Sequence, residues 1–265
     1  MPDPTPDLAG ARRAVDVAAA VVETAAANLA ARCAEGGRIS VARLDEHQVL
    51  AYDLAHAASA VAGCRVMCDY GQHGFYEAQL ATTFVADALW DIAGRVATRE
   101  EEWGVDRSAL AATAEFVAAH RAPKFLEAVA AQLPTRGTGP SHLPEEFELV
   151  RETFRRFAEE RIRPDAERIH RENLDIPEDV ITGLAELGGF GLSVPEEYGG
   201  CAVGGEHDYI GMVVATEELS WGSLGVGGSL ITRPEILTRA IVRGGTEEQK
   251  RRWLPRIASG ELMVG

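Results

Sequence analysis

Thr246-Glu-Glu-Gln-Lys-Arg-Arg-Trp-Leu-Pro255 reads as the start of a capped helix, and its reading decides the fold. The Thr246 hydroxyl is placed to accept from the backbone N–H of Gln249, and the Gln249 side chain to reach back to Thr246. Glu247 and Glu248 suit the positive end of the helix dipole. Trp253, Leu254 and Ile257 recur at helical spacing as its apolar stripe. Gly244-Gly245 closes the preceding helix, and glycine tolerates the left-handed conformation that ends one. After Gly260, Glu261-Leu-Met-Val264 turns apolar and gains β character, so it reads as the opening of a strand whose partner does not follow.

Working outward, the same periodicity predicts helices at roughly 144–170, 177–187, 206–221, 229–243 and 247–258, with 188–205 as loop because of its glycines and Pro195. Leu133-Pro-Thr-Arg-Gly-Thr-Gly-Pro140 has a linker's composition. The domains are therefore placed at 1–135 and 144–265, joined by 136–143. Upstream, 8–34 is an alanine-rich helix with Leu8, Val15, Val22 and Leu29 near one face, ended by Gly36-Gly37. Asp45 with Gln48 is a cap pair for a helix that runs to Tyr70 and carries Val49, Leu54, Val61 and Met67. Gly71-Gln-His-Gly74 is a turn. A third helix spans 75–103 with Leu80, Phe84, Ala88 and Ile92, and Gly104 stops it; shorter helices cover 106–120 and 123–132. No alternating strand series appears, and the expected class is all-α.

The chain of 265 residues is 46% hydrophobic and 25% charged, near globular averages. Its net charge of −15 disfavours nucleic acid and anionic lipid as partners, and an anionic ligand needs a local basic patch. The apolar run from Ala14 to Ala31 is broken by Asp16 and Glu23 and reads as a soluble helix rather than a membrane span. Met1-Pro-Asp-Pro-Thr-Pro-Asp7 lacks the positive leader of a secretory signal, and four cysteines do not make a disulfide framework, so the expected compartment is the cytoplasm.

Residues Thr246 to Pro255, with Gly189-Phe-Gly-Leu-Ser-Val-Pro-Glu-Glu-Tyr-Gly-Gly200, resemble the flavin-dependent acyl-CoA dehydrogenase family from about Glu145 to Gly265. Glu217-Glu-Leu-Ser-Trp-Gly-Ser-Leu-Gly-Val-Gly-Gly-Ser-Leu-Ile-Thr-Arg-Pro-Glu-Ile-Leu237, together with the N-terminal extension, is similar to the methylsuccinyl-CoA dehydrogenase branch. The resemblance implies a helical N-terminal domain, then a β domain that holds FAD, then a four-helix domain that supplies a catalytic glutamate. It implies a reaction in which that glutamate takes the α-proton of an acyl thioester while the β-hydride passes to flavin, with electron-transferring flavoprotein as acceptor and a homo-oligomer or a complementing chain as partner. It also implies that the helix at Gly228-Ser-Leu-Ile-Thr-Arg-Pro234 lines the acyl pocket, which makes Ser229, Thr232 and Arg233 the substrate candidates. A guanidinium forms charge-assisted bonds to a carboxylate such as the free one of methylsuccinyl-CoA. The chain reaches Gly265 where the flavin-domain strand opens, so these residues are expected to supply one wall of that pocket and, by themselves, neither to retain FAD nor to oxidise acyl-CoA. A non-catalytic helical module, or one subunit of a split dehydrogenase, is the alternative.

Other features invite chemistry. Gly222, Gly225, Gly227 and Gly228 fall short of a dinucleotide loop, because no strand precedes them and Leu230 stands where a third glycine belongs. Cys64 and Cys68 lie one helical turn apart near His73, but without a second Cys/His pair they read as buried packing and no metal site is assigned. Asp45-Glu-His47 reads as a charged helix start. Arg151, Arg155, Arg156, Arg161 and Arg163 alternate with glutamates as a solvated face. Asp45 to Trp103 resembles the family's C-terminal helical domain; neither Glu77 nor Glu100 to Glu102 is assignable there as the base, and no catalytic residue is assigned in this chain.

Overall fold

A computed structural model describes residues 5–263. The chain divides into two compact units, Met1–Ser141 and His142–Gly265. Both are helical; the only ladder among the described residues is the two-residue pair β1 (Ala34–Glu35) and β2 (Arg38–Ile39).

In the first unit, α1 (Leu8–Cys33) packs against α3 (Gln48–Tyr70) and α4 (Phe75–Val96). Val15, Val22 and Leu29 of the heptad are buried together with Ala11, Ala14, Ala18 and Ala25, and alanine lets the helices approach closely. By length and composition α1 is apolar enough to cross a bilayer, yet this face is the centre of the unit's core. Asp7 caps it, its carboxylate accepting from the Gly10 N–H at 2.7 Å. His120 Nε2 accepts from the Asp7 N–H at 3.2 Å while Nδ1 bonds the Phe116 carbonyl at 2.9 Å.

Several expected boundaries move. Gly36 and Gly37, both at positive φ, form a hairpin turn rather than a plain stop. Asp45 lies inside α2 (Val41–Glu46), and α3 starts after His47 without a side-chain cap. The third helix breaks at Thr98, whose φ of 68° is uncommon for a β-branched residue, before the short α5 (Glu100–Trp103). Arg95 and Arg99 fold back over this break onto Asp53 of α3. Val49 and Phe84, read as core positions, are exposed; Val85, Leu89 and Ile92 form the buried face of α4. A 3₁₀ turn (Arg107–Thr113) leads to α6 (Ala114–His120), followed by α7 (Pro123–Ala130) and α8 (Leu133–Arg136). Part of the expected linker is tied to the first unit: the Tyr76 hydroxyl donates to the Gly137 carbonyl at 2.8 Å and the Tyr70 hydroxyl to that of Pro140 at 3.0 Å.

The second unit contains α9 (Glu145–Phe157), α10 (Arg163–Glu172), α11 (Glu178–Glu186), α12 (Glu206–Gly222), α13 (Ser229–Gly244) and α14 (Glu247–Ala258). The long helix expected at 144–170 is interrupted by a π-turn at Ala158–Ile162, and a second π-turn at Leu224–Gly228 precedes α13. Segment 188–205 is irregular apart from two 3₁₀ turns and a bridge between Pro195 and Ala202. Gly200 sits so close to Val194 that a Cβ would lie 2.0 Å from its carbonyl oxygen. The Tyr198 hydroxyl donates to Glu247 at 3.1 Å. The Lys250 ammonium and that hydroxyl hold the Glu247 carboxyl below the ordinary carboxylate range.

At α14 the reciprocal cap is present: Gln249 N–H donates to Thr246 Oγ1 at 3.2 Å and Thr246 N–H to Gln249 Oε1 at 2.8 Å. Leu254 and Ile257 are fully buried. Gly245, however, is extended at φ −78°, and not left-handed. A Cβ there would sit 2.6 Å from the Ile241 carbonyl oxygen, so close passage, rather than positive φ, calls for glycine. The strand expected at Glu261–Val264 does not form over its described part: Glu261 and Leu262 bend, with the Leu262 N–H bonded to the Arg256 carbonyl, and Val264 lies outside the described residues. Thr246→Ala is expected to destabilise the second unit by about 1 kcal/mol, read by chemical denaturation. An unchanged midpoint would mean that the cap bonds are not formed in solution.

Candidate functional site

The candidate face is built where α12 passes through the second π-turn into α13. Gly222 ends α12 directly against the first π-turn, where a Cβ would meet the Ala158 methyl at 3.0 Å and Ile162 at 3.2 Å. Ser223 then caps the second turn, its hydroxyl accepting from Val226 N–H at 3.3 Å and its carbonyl from Gly227 N–H at 2.8 Å. A Cβ on Gly227 would lie 2.3 Å from the Leu219 carbonyl oxygen, so the turn rests on the α12 backbone.

Ser229, Thr232 and Arg233 follow at i, i+3 and i+4 and share one face of the first turns of α13. The Ser229 hydroxyl donates to the Gly225 carbonyl at 2.6 Å, and that of Thr232 to the Gly228 carbonyl at 3.0 Å. Each has spent its proton on the backbone and keeps acceptor capacity alone. Arg233 is exposed and forms no ion pair among the described residues. On this face it is the group able to donate to an anion.

The glycines do not form a nucleotide cradle. Gly227 is filled by Leu219, and Gly228 by Ser220 and Leu224, so their missing side chains admit the chain's own atoms. The residues present here do not fit FAD. Two concavities lie elsewhere in this unit: a groove of about 420 Å³ lined by Leu237, Ile241 and Trp253, and one of about 480 Å³ lined by Tyr209, Arg239 and Arg243. Ser229, Thr232 and Arg233 line neither.

The arginine run is more than a solvated face. Glu218 of α12 is 2% exposed and ion-paired to Arg151, at 3.7 Å, and more closely to Arg155, both on α9. Arg155 and Arg163 also lie over the Trp221 ring, at 3.8 and 4.1 Å from its centre. Removing one partner of a buried pair costs about 3–5 kcal/mol, and because these guanidiniums remain about one-third exposed the lower end applies. The i,i+4 spacing of Arg151 and Arg155 was a usable sign; their partner Glu218, on a helix far along the sequence, was not legible.

Cys64 and Cys68 are buried, and burial, with Cys68 adjacent, pushes the Cys64 thiol up to about 12. His73 is exposed and faces the Tyr70 ring. No group of three or more candidate metal ligands occurs among the described residues. Cys33 is buried too, whereas Cys201 is exposed. One thiol per folded chain is therefore expected to react promptly with a disulfide reagent and three only after unfolding; prompt reaction of more would contradict this burial.

Residues 144–261 match the family model for the acyl-CoA dehydrogenase N-terminal domain. The chain is 36% identical over 262 residues to (2S)-methylsuccinyl-CoA dehydrogenase of Cereibacter sphaeroides, covering 92% of this chain and 47% of that protein. It is 41% identical over 115 residues to the mitochondrial isovaleryl-CoA dehydrogenase of Solanum tuberosum, covering 42% of this chain and 26% of the relative. With the mitochondrial short-chain specific acyl-CoA dehydrogenase of Sus scrofa the identity is 32% over 119 residues, 45% of this chain and 28% of the relative. The chain thus spans about half the length of the first relative and less than a third of the other two.

Proposed function

We propose, starting from the acyl-CoA dehydrogenase N-terminal domain at residues 144–261, that this chain is the N-terminal part of a flavin-dependent dehydrogenase. Such an enzyme oxidises the α,β C–C bond of an acyl-CoA, with methylsuccinyl-CoA as the substrate. Residues 1–135 are the helical extension, 136–143 the linker and 144–265 the dehydrogenase part. The similarity to a methylsuccinyl-CoA dehydrogenase covers 92% of the chain, more than either unit contains, and this favours that branch.

The carrying observation is the face of α13. Arg233 has no ion-pair partner among the described residues and stands beside two hydroxyls already committed to the backbone, so the face offers one cation and no competing hydroxyl donor. In the proposed role Arg233 holds the distal carboxylate of the acyl group, and Ser229 and Thr232 shape the wall. FAD, when bound, accepts the hydride. The α13 face does not fit the flavin, and the residues that hold it and the catalytic base are assigned to segments outside these 265, in one longer chain or in a complementing one.

Tyr209, Val213, Leu224 and Ile236 expose large apolar side chains of the second unit, as expected where such a segment or a second copy associates. Electron-transferring flavoprotein is the proposed acceptor and the cytoplasm the proposed location.

Arg233→Ala in the complete enzyme should lower kcat/KM for a dicarboxylic thioester by roughly tenfold to a hundredfold, the worth of one charge-assisted bond. It should leave a monocarboxylic thioester of the same length nearly unaffected. Equal losses for both substrates would reject the assignment. The 265-residue polypeptide expressed by itself should purify colourless and without activity; a yellow, active product would refute the one-wall reading.

A further inference from the structure

We infer that Glu218 is a positioning residue: clasped by Arg151 and Arg155, it fixes the rotation of α12 on α9 and thereby the π-turn that presents the α13 face. The clasp is a matter of geometry, and its consequence for substrate rests on the function proposed above.

Glu218 is 2% exposed, a depth at which an apolar residue would pack at least as well, because a buried ion pair adds little net stability over a hydrophobic replacement. What a carboxylate adds is direction. Arg151 and Arg155 are one turn apart on α9, and the two oxygens of Glu218 each face one of them in an ionic contact without hydrogen-bond geometry, Glu218 Oε2 and Arg151 Nε having no hydrogen-bond partner among the described residues. A turn of α12 about its axis would leave the carboxylate buried without a partner, so the ionic contact selects one rotation where an apolar side chain would accept several. Arg155 also lies over Trp221, three residues further along α12, and so grips that helix at two successive turns.

From Glu218 the chain of contacts to the candidate face is short. The Leu219 carbonyl, one residue on, accepts from the Ser223 N–H at 3.1 Å and lies where a Gly227 Cβ would project. Gly227 N–H in turn bonds the Ser223 carbonyl at 2.8 Å, and Ser229 bonds back to Gly225 at 2.6 Å. Rotation of α12 moves the Leu219 peptide, and the turn resting on it cannot stay in place. Glu218 touches none of the substrate-facing groups and acts through this backbone path.

Amide hydrogen exchange of the 265-residue chain tests the clasp. Glu218→Gln keeps the shape and removes the charge; the amides of Ser223 to Gly228 should then exchange on the order of tenfold faster while those of the first unit are unchanged. Glu167→Gln, which breaks a surface pair with Arg171, should leave the turn at its wild-type rate. Wild-type exchange at the turn in Glu218→Gln overturns the inference. If Glu218→Gln loses protection throughout the second unit, Arg151→Gln decides: it removes one of the two charges and leaves the Arg155 pair and its stack on Trp221, and an unchanged turn there overturns the inference equally. In the complete enzyme, Glu218→Gln should raise KM for the dicarboxylic thioester roughly threefold to thirtyfold with kcat changed less. If the wild-type complete enzyme oxidises no acyl-CoA, the proposed function fails and the exchange result still decides the clasp.

Discussion

A Cβ at Gly222 would lie 3.0 Å from the Ala158 methyl and 3.2 Å from Ile162, so α12 meets the α9–α10 junction over bare backbone. That approach requires small groups on both sides, and the π-turn at Ala158–Ile162 presents one of them, the fully buried Ala158. π-turns insert a residue into a helix and are usually retained for local geometry. Here one of them receives the end of α12 and the other, at Leu224–Gly228, redirects the chain into α13. Phe154, Ile162, Leu219, Val226 and Leu230 close into one core around this contact.

Glu218 supplies the direction that the close contact lacks. Small residues allow α12 to approach but do not choose its rotation, whereas a buried carboxylate between two guanidiniums does. The outcome is a turn in which Gly227 and Gly228 are filled by the chain itself while Gly225 stays open, and whose exit places Ser229, Thr232 and Arg233 on one face.

Much of the second unit was legible because its local rules agree with its packing. Thr246 and Gln249 form the reciprocal cap that their spacing announces, and Leu254 and Ile257 are buried as their periodicity demands. The misses share a cause. The π-turn at Ala158–Ile162 against Gly222, the break at Thr98 under the Arg95 and Arg99 contacts to Asp53, and the partnership of Glu218 with Arg151 and Arg155 involve residues far apart in sequence, which local propensity does not encode. At Gly245 the residue type was informative and the reason differed: a neighbouring carbonyl, and not a positive φ, excludes a side chain. In the first unit, Val49 and Phe84 have core chemistry but sit on exposed helix faces. The candidate face was legible only through the family resemblance, which singled out Ser229, Thr232 and Arg233; that both hydroxyls are already engaged by backbone carbonyls depends on the folded geometry.

In the proposed enzyme the stretch from Leu224 to Arg233 faces the acyl group of a CoA thioester. Photolabelling the complete enzyme with a dicarboxylic acyl-CoA that carries a diazirine on its acyl chain, then locating the modified peptide by mass spectrometry, tests it most directly. Label is expected within residues 224–233, suppressed by excess unlabelled substrate. Competable label confined to other segments, with none in that stretch, would contradict it.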